Sequence, residues 1–168
     1  MNAYDQIAIG DIHVFGKHTF TAEGIRRFAA KYDPQVFHLD EEAARQSLFG
    51  GLCASGWHTA AVMMRLLVDY FDARDAKARA AGQPPLVSGP SPGLDDLRWP
   101  NPVRPGDVVE FTARIVGKRL SKSRPGWGLL SMTTTGVKQT GEVVFMVTTH
   151  AFVETGQPAP IVAGAPSA

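Results

Sequence analysis

The spacing of apolar positions along this chain switches between a helical period and strict alternation, and the switches mark its elements. Ile7-Ala8-Ile9 ends a lead-in at the turn signal Gly10-Asp11. Ile12 to Phe15 and His18 to Phe20 predict a strand bent around Gly16. Thr21 suits a helix N-cap and Glu23 lies in the first turn, where the helix dipole favours an acid. Ile25, Phe28 and Ala29 share one face, so a helix is expected over about 22–32. Pro34 disfavours helical geometry at Asp33 and stops the helix there. Asp40 suits the cap of a short helix over 41–47, and Gly50-Gly51 breaks the chain before Ser55 opens the longest element. On that helix Trp57, Ala60, Ala61, Met64, Val68 and Phe71 line one face, while Val62, Met63, Leu66 and Leu67 fill most of the other. Only Arg65 and Asp69 are charged between positions 53 and 71. A helix apolar nearly all round is enclosed by something larger.

After Tyr70 the pattern turns polar and alanine-rich, so the helix is expected to continue, exposed, to Gly82, where Gln83-Pro84-Pro85 ends it. Residues 86–93 are too rich in Pro and Gly for regular structure. Alternation then predicts four strands, over 94–99, 108–120, 128–137 and 142–153. The second alternates around Phe111, Ala113 and Val116; the last places Val144, Met146, Thr148 and His150 on one side. Segments 121–127 and 139–141 are hairpin-type connections. There is no internal repeat. One long helix with a strand before it and four after it argues for an α+β fold, the helix against an antiparallel sheet. A single domain over 1–155 is expected, with a poorly ordered tail over 156–168.

Composition narrows the function classes. Seventeen Lys and Arg against sixteen Asp and Glu leave the chain nearly neutral, with no basic stripe carrying interleaved aromatics, so a nucleic-acid partner is not expected. The single Cys53 excludes an intramolecular disulfide and, among apolar neighbours, is read as a buried filler. The first ten residues lack the basic-then-apolar pattern of a signal peptide, and the apolar run 51–67 is interrupted by Ser55, His58, Thr59 and Arg65. A soluble, cytoplasmic protein without membrane partners is expected. No cluster of His and carboxylates has metal-ligand spacing, and neither the P-loop nor the Gly-x-Gly-x-x-Gly pattern occurs. No metal and no separate cofactor are implied.

The candidate chemistry lies between Phe28 and His58. Asp33 and His38 stand five residues apart on a segment that Pro34 and Gln35 mark as a turn. Gly56 opens the long helix, where free N–H groups carry partial positive charge and glycine permits close approach. An acid, an imidazole and a helix N-terminus are three parts needed to add water across a polarised double bond. Other readings stand beside this one. Asp33 can be a surface charge, His38 hydrogen-bonded filler, and Gly56 a packing glycine. Asp40 and Ser55 read as helix caps, Ser55 lacking the setting of an activated nucleophile. His58 reads as core or pocket lining.

The same stretch resembles the MaoC-like dehydratases and (R)-specific enoyl-CoA hydratases. Phe28, Ala29, Asp33, His38, Asp40, Phe49, Gly50 and Gly56 fall in register with that family's pattern, and Pro102-Val103-Arg104-Pro105-Gly106-Asp107 matches a turn it places before a core strand. Three positions depart: Gln35 stands for the usual Asn, Val36 for Pro, and Ser55 for the His before the helix glycine. The resemblance implies a hot-dog fold, a curved sheet wrapped around the central helix, and a homodimer. It implies that Asp33 and His38 hold and deprotonate water while Gly56 polarises a thioester carbonyl. The substrate would be an acyl-CoA thioester, with coenzyme A present only as part of it. Gln35, Phe37, Ser55, Trp57 and Trp99 are candidate substrate-binding residues, Phe37, Trp57, Met63 and Trp99 being equally explicable as core. Lys118, Arg119, Lys122 and Arg124 are either contacts for coenzyme A phosphates or a solvated hairpin end. The competing readings are a hot-dog thioesterase, for which the central helix offers only Asp69, and a non-catalytic acyl-binding module.

Overall fold

In the computed structural model, which describes residues 3–156, strands β1 (Ile12–Thr19), β2 (Gly93–Arg98), β3 (Val108–Leu120), β4 (Trp127–Lys138) and β5 (Val143–Glu154) pair into one antiparallel sheet. Their order is β1-β3-β4-β5-β2, so the edge strand β2 crosses over to pair with β5. Each strand lies within one residue of the span its alternation predicts. The helices are α1 (Ala22–Tyr32), α2 (Val36–Leu39), α3 (Glu41–Arg45) and α4 (Gly56–Ala80). Met63, Leu66 and Leu67 of α4 pack with Phe111 and Ala113 of β3 and with Phe145 and Val147 of β5. This is the hot-dog fold, a five-stranded sheet around one long helix.

The caps are where the sequence puts them. Thr21 accepts from the Gly24 N–H at 3.0 Å, Asp40 from the Ala43 N–H at 2.8 Å and Ser55 from the Trp57 N–H at 3.2 Å. Pro34 follows Asp33, which closes α1 with its own N–H on the Ala29 carbonyl.

Several local expectations are corrected. The predicted turn around Gln35 contains a further helix, the single turn α2, and α3 ends two residues early, at Arg45. In β3 an unbroken alternation buries Val109, Phe111, Ala113 and Ile115, so Val116, expected to alternate with Phe111 and Ala113, faces solvent, and the register shifts only after Ile115. Near the start of β5 the pairing slips opposite Gly136 and Val137, which puts both Val144 and Phe145 in the core and Met146 outside. The lead-in is also more than a lead-in. Tyr4 is buried against Leu130 and Val153, over Gly128, where any Cβ would lie 2.4 Å from its ring. Finally, α4 is not enclosed by its own chain. The sheet covers one side, while Trp57, Ala61, Met64 and Val68, at helical spacing, remain exposed. The predicted tail lies outside the described residues from 157 on.

Candidate active site

Asp33, Gln35, Phe37, His38, Ser55, Gly56, Trp57 and Trp99, eight of the residues the sequence nominates, line one cavity of about 370 Å³. Its remaining wall includes Phe49, Cys53, Thr59 and Asn101 to Val103. Three ends converge there. The C-cap of α1 supplies Asp33, the one-turn α2 supplies His38, and the N-terminus of α4 supplies Ser55 and Gly56.

His38 is buried and its orientation is set by the backbone. Its Nδ1 lies 2.7 Å from the Cys53 carbonyl, which can only accept, so Nδ1 carries the hydrogen. In the neutral ring Nε2 is then a bare lone pair. It faces Asp33 Oδ2 at 3.4 Å, with the two side chains 6% and 18% exposed. Two acceptors aimed at each other over that distance call for a proton between them or a water beside them that donates to both.

Asp33 is held ionised. Burial alone would raise its pKa, but hydrogen bonds from Gln35 and Ser55 and the adjacent His38 outweigh it and keep the carboxyl below the usual range. The Gln35 amide donates to Asp33 Oδ1 at 2.8 Å. Ser55 has two roles: its oxygen caps α4 through the Trp57 N–H, and its hydroxyl bonds Asp33. Two of the three departures from the family pattern are therefore the side chains that grip the acid.

At the start of α4 the Trp57 N–H goes to Ser55 Oγ and the Thr59 N–H to the Ser55 carbonyl. The N–H of Gly56 has no partner among the described residues. Glycine is required there, but for a reason spacing does not reveal. A Cβ at Gly56 would lie 2.6 Å from the Trp99 indole, which rests on the helix start and meets Trp57 edge to face at 5.4 Å.

Apart from Cys53, the other candidates, Met63 of the core among them, fall outside the cavity. His58 is core, stacked on Phe28 at 4.7 Å and edge-on to Phe20; burial, then His18 and Arg27, push its pKa down to about 4. Cys53 is buried and burial raises its thiol pKa, as suits a filler. Asp40 serves as the cap of α3. None of Lys118, Arg119, Lys122 and Arg124 lines the cavity; Lys118 is taken up by the Ile7 carbonyl at 2.7 Å and the face of Tyr4. Asp69 is exposed, ion-paired with Arg65, and about 20 Å along the helix axis from Gly56. Among the described residues no group of three or more His, Cys, Asp and Glu is placed to hold a metal ion, and no helix is long and apolar enough to cross a membrane. Sequence reasoning missed the Cys53 carbonyl, a backbone atom with no side-chain signature, and Arg104, whose guanidinium anchors the segment carrying it.

Comparison with known proteins agrees with this fold. The MaoC like domain matches residues 9–134. The crystal structure of a MaoC-like dehydratase from Rhodospirillum rubrum superposes with a TM-score of 0.75 at 41% identity, covering 92% of this chain and 97% of that one. The uncharacterized protein YdeM of Bacillus subtilis is 35% identical over 135 residues, 80% of this chain and 88% of its own length. The 3-hydroxyacyl-thioester dehydratase Z of Mycobacterium tuberculosis is 32% identical over 100 residues, and the match spans 59% of this chain and 60% of that protein. With a hot-dog sheet, a central helix opening at Gly56 and a family match over three-quarters of its length, the chain belongs to the MaoC-like dehydratase family.

Proposed function

We propose that this protein is a hydro-lyase that adds water reversibly to trans-2-enoyl-CoA thioesters, giving the (R)-3-hydroxyacyl product expected of its family. The observation that carries the reading is the acceptor pair, Asp33 Oδ2 and His38 Nε2 held 3.4 Å apart beside the unpaired N–H of Gly56. A water donating one hydrogen to each acceptor keeps a lone pair free to attack C3 of the enoyl group. As the C3–O bond forms, Nε2 takes the proton and the π electrons move through C2 onto the thioester oxygen. Gly56 N–H, at the positive end of α4, stabilises that enolate. The imidazolium, with the Asp33 carboxylate beside it, returns the proton to C2. No electron is gained or lost, so the step needs no redox partner, and coenzyme A enters only as part of the substrate. Phe37, Trp57 and Trp99 supply apolar wall for the acyl portion.

The exposed stripe Trp57-Ala61-Met64-Val68 reaches this cavity at Trp57, and a second copy seated on it would bury the side of α4 that the sheet leaves open. The proposed working form is accordingly a homodimer, acting in the cytoplasm. The position of Asp69 disfavours the thioesterase reading, because no carboxylate of α4 reaches its N-terminus. A panel of enoyl-CoA thioesters of increasing chain length, scored separately for hydration and for free thiol, tests the proposal. Hydration without thiol release is expected. Thiol release without hydration would establish the thioesterase, and tight binding with neither would establish a binding module.

A further inference from the structure

Arg104 lies in the turn between Pro102 and Asp107, behind the cavity wall rather than in it. Its guanidinium forms no ion pair among the described residues; it donates instead to three backbone carbonyls of one irregular segment. These are Gly51 O at 2.6 Å, Leu52 O at 3.4 Å and Phe49 O. Gly51 leaves room for it, since a Cβ there would lie 3.2 Å from Nη1. The turn is itself anchored. Arg104 N–H bonds Asp107 Oδ2 at 2.7 Å, and Asp107 pairs at 3.0 Å with Lys138, both largely buried. The Ala54 N–H then ties the segment to the Val103 carbonyl at 2.8 Å. Between these ties stands the Cys53 carbonyl, which accepts from His38 Nδ1.

We propose that Arg104 is a positioning residue: by fixing the carbonyls of residues 49–52 it holds the Cys53 carbonyl where it keeps His38 in the Nδ1–H tautomer, with the Nε2 lone pair toward Asp33. The carbonyls of this segment have no strand or helix ladder to order them, so the planar fork of one guanidinium substitutes for a ladder. Lysine, with a compact ammonium on a flexible stem, does not reproduce the fork. The consequence for turnover rests on the hydratase reading; the consequence for the tautomer does not.

The test uses the full-length chain, wild type against Arg104→Met and Arg104→Lys, with folding followed by circular dichroism. Long-range ¹H–¹⁵N spectra, assigned with His38→Gln, read the His38 tautomer directly. The wild type is expected to show Nδ1–H alone, and both variants a mixture of tautomers. Hydration should fall in kcat by about a hundredfold in Arg104→Met, with KM much less affected, as for a misplaced catalytic group. Folded variants with the wild-type tautomer would overturn the proposal, as would unfolding of both, which would make Arg104 a folding residue. If the wild type hydrates no enoyl thioester, the functional reading fails while the tautomer comparison still decides the role of Arg104.

Discussion

Gln35 and Ser55 stand where the family pattern carries Asn and His, and both end on the Asp33 carboxylate. Their substitution thus changes which atoms hold the acid without leaving it unheld. Gln35→Leu or Ser55→Ala removes a hydrogen bond that favours the charged form and leaves burial to act, so the acidic limb of the pH–rate profile should move to higher pH in each. An unmoved limb would mean that Asp33 does not titrate in turnover. Ser55→Ala should also cost about 1 kcal/mol as a lost cap. His58 makes a separate prediction. Its ring is neutral in the core, with Nδ1 unpartnered among the described residues and its pKa lowered from 6.5 to about 4, so between these pH values the unfolded chain binds a proton there that the folded chain refuses. Stability from this group is complete above the ordinary pKa near 6.5 and falls as pH drops toward 4. Urea midpoints should therefore decline over that window, and His58→Phe, which keeps the stack on Phe28, should flatten the decline. Asp33 and His38 were legible as a pair through the family pattern they match, since their spacing around Pro34 also allows a surface charge and a hydrogen-bonded filler. The Cys53 carbonyl, fifteen residues from His38, was not, since backbone atoms leave no trace in composition.

At the level of elements, caps and alternation located α1, α4 and the strands to within a residue or two because each carries its own local chemistry. What local pattern misses is where the period slips. Val144 and Phe145 both enter the core because the pairing slips there, and α2 is a single turn without a side-chain cap. The glycines beside aromatic rings were equally hidden, because their partners are distant in sequence. Gly128 makes room for Tyr4, so Gly128→Ala should destabilise the fold by about 1–3 kcal/mol, and Tyr4→Ala in the same chain should relieve part of that loss. Additive effects of the two changes would argue against the contact. At the start of α4, Gly56→Ala should displace the Trp99 indole, altering tryptophan fluorescence and lowering hydration together.

For the molecule as a whole, the apolar surround of α4 was visible in sequence, but which side its own sheet leaves open was not. Trp57 is 59% exposed, Met64 49% and Val68 39%, a stripe on the helix that opens at the site. Met64→Glu with Val68→Asp should convert a dimer in sedimentation to a folded monomer; an unchanged mass would place the interface elsewhere. Whatever the assembly, the proposed chemistry requires Asp33 and His38 to share one water. The direct measurement is a double-mutant cycle on enoyl-CoA hydration with Asp33→Asn, His38→Ala and the two combined, each checked for folding. Each single variant should lose at least about a hundredfold in rate, and the double variant should lose far less than the product of the two. Well-folded single variants that hydrate at near wild-type rates would contradict it.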